Sequence, residues 1–114
     1  MSELSDRLRA RVLEVLGLVA DAETQRRYQA SVPHVDVPAE LFNQWEESFF
    51  PADDQFRGAF TRAELDALRR FDLVVNDVGA QTPKQLPALD AFVRTLAWQR
   101  LSDAARATLR DLER

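Results

Sequence analysis

Leu4, Leu8, Val12, Val15 and Val19 recur at steps of three and four, with Leu16 beside them and Arg7, Arg11 and Glu14 opposite. Side chains spaced in this way share one face of an α-helix. The pattern therefore predicts an amphipathic helix from Met1 to about Ala20, capped by Ser2 or Ser5. The polar stretch Asp21–Ala30 either continues it or forms a second short helix behind an Asp21 cap, with Tyr28 as its only large side chain. Pro33 and Pro38 push the valines before them into extended conformations, so residues 32–38 read as a connector.

Pro38 suits the first turn of a new helix, and Pro51 cannot continue one. Within Pro38–Phe50, Leu41, Phe42, Trp45 and Phe49 gather on one side, and Glu40, Asn43, Gln44 and Glu47 face away. Phe50 falls outside the apolar arc. Pro51–Phe60 reads as a loop, with Asp53 and Asp54 at its tip and a turn at Gly58. Thr61 and Glu64 then have the spacing of a capping box, with Phe60 and Leu65 as its hydrophobic staple. The helix they open carries Leu65, Leu68, Phe71, Val75 and Val78 inward and Asp66 and Arg70 outward as an i,i+4 pair. It stops at a left-handed Gly79. Asp72 breaks its pattern, because the wheel places this carboxylate between Leu65 and Leu68.

After a loop from Thr82 to Pro87, Leu89, Phe92, Val93 and Leu96 form one stripe, while Trp98, Leu101, Ala105, Leu109 and Leu112 form another almost opposite. A straight helix with one buried face cannot carry both. The expected break lies near Leu101, with Ser102 capping a last helix that runs to about Glu113 and Leu96 buried with its stripe. The whole chain then reads as all-α: a single compact domain over residues 1–114, made of five helices, or six if Asp21–Ala30 stands alone. Short helices and proline connectors favour irregular or orthogonal packing over a long up-down bundle.

Composition narrows the chemistry. Without cysteine there is no disulfide, no thiolate nucleophile and no cysteine metal site, and the single histidine, His34, lies in a proline-flanked connector with no serine motif near it. The acidic pairs Glu46-Glu47 and Asp53-Asp54 lack the alternating oxygen ligands and central glycine of a calcium loop, and none of the three glycines has phosphate-loop spacing. No enzyme activity, metal or cofactor is expected. Glu3 and Asp6 occupy the place of a basic signal region, and no apolar run approaches membrane-spanning length, so a cytoplasmic protein is expected. Arg100, Arg106, Arg110 and Arg114 are nearly balanced by Asp103, Asp111 and Glu113, which weakens a nucleic-acid reading.

Charge changes the picture at one place. Between Arg27 and Arg57 there is no cation, yet there are six carboxylates, so this stretch carries −6 of a total of −4 and the rest of the chain sums to +2. Six of the ten aromatic residues fall between Phe42 and Phe60. A local negative field beside apolar bulk suits a surface that attracts a basic partner. The expected contact residues are Glu40, Asn43, Glu46, Glu47, Phe50, Asp53, Asp54 and Phe56. The expected function is that of a small acidic binding protein. In concrete form it is a bacterial immunity protein or antitoxin docking on a basic, nuclease-type protein partner. Two alternatives are a helical homodimer or assembly factor, whose aromatics meet across a two-fold axis, and a small nucleic-acid-binding regulator.

Overall fold

The chain leaves its first helix at Asp21, whose extended backbone ends α1 (Glu3–Ala20) and opens α2 (Ala22–Ser31). The Asp21 carboxylate accepts from the Glu23 N–H at 3.1 Å and the Thr24 hydroxyl at 2.8 Å, so the short polar segment is a helix of its own. These helices and those below belong to the computed structural model, which describes residues 3–81 and 88–113. The expected cap Ser2 and the loop from Thr82 to Pro87 lie outside the described residues. Ser5 lies inside α1, so it does not cap it.

Asp36 caps α3 (Val37–Glu46), accepting from the Ala39 N–H at 3.3 Å, and Pro38 sits in the first turn, where no N–H is needed. This helix stops four residues earlier than the spacing of its aromatics suggests. Pro51 can neither donate to the ladder nor tolerate a helical neighbour before it, and the chain turns out through Glu47 and Ser48. The segment read as a loop then holds α4 (Asp54–Gly58), capped by Asp53 through the Phe56 N–H at 3.0 Å. Next is α5 (Arg62–Gln81), which runs through Gly79 with no left-handed residue, since no described glycine has a positive φ. Its capping box forms in both directions: Thr61 N–H to Glu64 at 2.8 Å and Glu64 N–H to the Thr61 hydroxyl at 3.1 Å. Asp66 pairs with Arg69 at 3.8 Å, and Arg70 instead turns to Asp111 at 3.8 Å.

The C-terminal third does contain two helices, α6 (Leu89–Phe92) and α7 (Leu96–Glu113), but they part at Thr95 and not at Ser102. Thr95 caps α7 through the Trp98 N–H at 3.1 Å. Ser102 is fully buried inside α7 and donates to the Ala20 carbonyl at 2.9 Å, closing the end of α1. Leu96, expected in the core, is 83% exposed because it begins α7 and does not end the preceding stripe.

Seven helices and no strand make up the described residues. The long helices α1, α5 and α7 form the frame, α7 packing on both others, while α3 and α4 close over α1 and α2 lies against α1 and α3. The radius of gyration is 14.1 Å, near the roughly 13 Å of a compact chain of this length. One core cluster runs from Val12 to Leu112. The concentrated aromatics bind the short helices into it: Trp45 stacks on Phe49 and meets Phe71 edge-on, Phe49 meets Phe56, and Phe56 leans on Phe60. The anomalous Asp72 accepts the Trp45 indole N–H at 2.9 Å, so its place on the apolar side of α5 serves a ring from α3.

Candidate interaction surface

Helix α3 and the turn behind it position the expected contact residues, and the structure divides them into two kinds. Asp53 and Asp54 stand at the start of α4, where carboxylates satisfy first-turn N–H groups and meet the positive end of the helix. Asp54 is also ion-paired with Arg57, whose other nitrogen donates to the Pro51 carbonyl at 2.7 Å. Local structure accounts for both residues. Phe56 is a correction: it is completely buried beneath Phe49, Phe50 and Phe60, and no partner can touch its ring.

Glu46 and Glu47 are different. Both are exposed at the C-terminal end of α3, where the helix dipole is already negative, and no basic residue occupies the last turn. No ion pair joins either one to another described residue. Asn43 is exposed one turn earlier, whereas Glu40 is half-buried, and Gln44 receives cover from α2 through its contact with the Tyr28 hydroxyl at 3.4 Å. The outward face of α3 is thus narrower than its wheel suggests, because α2 lies along part of it.

Phe50 follows the two glutamates and is 44% exposed, its ring standing edge-on to buried Phe56. With Phe49, Pro51, Ala52 and Asp53 it lines a shallow depression of about 480 Å³. Two carboxylates, an exposed ring and an apolar hollow therefore follow one another between Glu46 and Asp53. The five aromatics Phe42, Trp45, Phe49, Phe56 and Phe60 pack inside, which leaves little for a two-fold interface built from them.

A larger cleft, about 710 Å³, opens between α2, the connector and α6, with Arg26, His34, Asp36 and Asp90 on its walls. Arg26 approaches Asp90 at 3.8 Å, and exposed His34 makes no hydrogen bond to a described residue. Among the described residues that line it, none is a serine, threonine or cysteine for the histidine to activate. Among the described residues no cluster of three or more His, Asp or Glu could hold a metal ion, and no helix is long and apolar enough to cross a membrane. On α7, Arg100 and Arg106 are engaged by Asp77 and Asp103, each at 2.7 Å.

Two polar groupings join distant helices, and sequence patterns gave no sign of either. Arg9 grips Glu64 with both guanidinium nitrogens, at 2.9 and 2.7 Å, donates to the Leu112 carbonyl at 3.0 Å and lies 5.5 Å from the Phe60 ring centre. The hydrogen bond from Arg9 holds the Glu64 carboxyl below the usual glutamate range and, reciprocally, raises Arg9. Gln25, with no exposed surface, donates to the Leu18 and Val19 carbonyls and accepts the Trp98 indole N–H at 3.0 Å. Both tie the fold together, since both Glu64 oxygens, both Arg9 terminal nitrogens and both polar atoms of the Gln25 side chain are bonded within it. Comparison with family models, curated proteins and solved structures finds no significant match.

Proposed function

We propose that this protein is a small binding protein whose Glu46–Phe50 shoulder docks a basic protein partner. One observation carries the reading: Glu46 and Glu47 add exposed negative charge to the negative end of α3, with no cation in its last turn. Folding gains nothing from that placement, because like charges at a helix C-terminus are unfavourable by some tenths of a kcal/mol each. A partner's arginine or lysine would reverse the sign. Phe50 and the hollow beside it supply apolar contact and a ring face for the same cation. In its concrete form the partner is the cationic, phosphate-binding surface of a nuclease-type toxin, with the two glutamates in the place of phosphates. Charge is what supports this form.

The test compares wild type with the Glu46→Gln/Glu47→Gln variant as bait for basic proteins from the source organism, followed by stopped-flow association with the captured partner. Removing both charges is expected to slow association about tenfold at low salt, with the difference shrinking as salt rises. Equal rates at every salt concentration would refute electrostatic docking here. Phe50→Ala is expected to act mainly on dissociation, because it removes contact area and not charge.

A further inference from the structure

We draw no further inference here: the strongest candidate, the cleft of about 710 Å³ between α2, the connector and α6, is walled by exposed charged and titratable side chains of both signs, Arg26, His34, Asp36 and Asp90, and no buried side-chain polar atom among the described residues is left unpartnered to aim into it, so nothing in the structure shows what would fill it.

Discussion

At Glu64 one carboxylate closes a capping box and also holds an arginine from another helix. Its oxygens accept from the Thr61 N–H and from both Arg9 nitrogens, and little of the side chain reaches water. Because the Arg9 hydrogen bond lowers its folded value, Glu64 contributes fully to stability above the ordinary 4.5, and that contribution is lost as pH falls through the lower folded value. Glu64→Gln is expected to cost about 2 kcal/mol at neutral pH. The cost falls short of a fully buried pair because Arg9 keeps its carbonyl contacts at Leu112 and Ala59. The same variant should flatten the acid limb of a plot of urea midpoint against pH. A parallel loss of stability at every pH would mean that the ion pair does not titrate with folding. Thr61 and Glu64 were recognisable from their spacing; Arg9 was not, because nothing in α1 marks which of its arginines turns inward.

Five of the described helices, α2, α3, α4, α5 and α7, are opened by a side chain within a turn of their start, and two of these caps, Asp21 and Thr61, were legible in the sequence. Asp21, Asp36, Asp53, Thr61 and Thr95 all accept from first-turn N–H groups. Thr95→Ala is expected to cost about 1 kcal/mol by removing the α7 cap. Ser102→Ala should cost a comparable amount for another reason, the loss of a buried hydrogen bond between α7 and α1. Amide exchange separates the two: Thr95→Ala should raise exchange at the Trp98 N–H, and Ser102→Ala should not. Gly17 lies inside α1 with open space where a Cβ would stand and no positive φ. Gly17→Ala is therefore expected to raise stability by about 0.5–1 kcal/mol, read from the denaturant midpoint. A lower midpoint would show that α1 needs a bare backbone at this point.

At the scale of the molecule, the frame of α1, α5 and α7 is tied at two ends. The Arg9–Glu64 pair joins α1 to α5 at one, and the Gln25–Trp98 bond joins α2 to α7 at the other. Trp45 reports on the first neighbourhood through Phe71 and Asp72, and Trp98 on the second through Gln25. One continuous core between them predicts coincident unfolding: single-tryptophan variants should give the same midpoint by fluorescence as by far-ultraviolet circular dichroism. Gln25→Leu is expected to lower both midpoints together, costing about 3 kcal/mol, because it leaves two carbonyls and an indole N–H buried without partners. Movement of the Trp98 signal alone would show that the two ends fold separately.

The sequence by itself determined that this protein is helical, where the strongly periodic helices lie, and that its charge is gathered before Arg57. Those properties are summed over neighbours one turn apart, and period, capping and charge all act at that range. Tertiary structure alone decided which of the candidate residues remain at the surface. Phe56 turned inward beneath Phe49, Phe50 and Phe60, whereas Phe50, already outside the apolar arc of the sequence pattern, stayed exposed. Asp53 became the cap of α4 and Asp54 its first residue, while Glu46 and Glu47 have no ion pair with another described residue. The break at Thr95 was misplaced for the same reason: Ser102 resembles a cap until Ala20, 82 residues away, is brought within 2.9 Å of its hydroxyl. A side chain's role is settled by the groups that reach it in space, and contacts across such separations leave no local pattern in the chain.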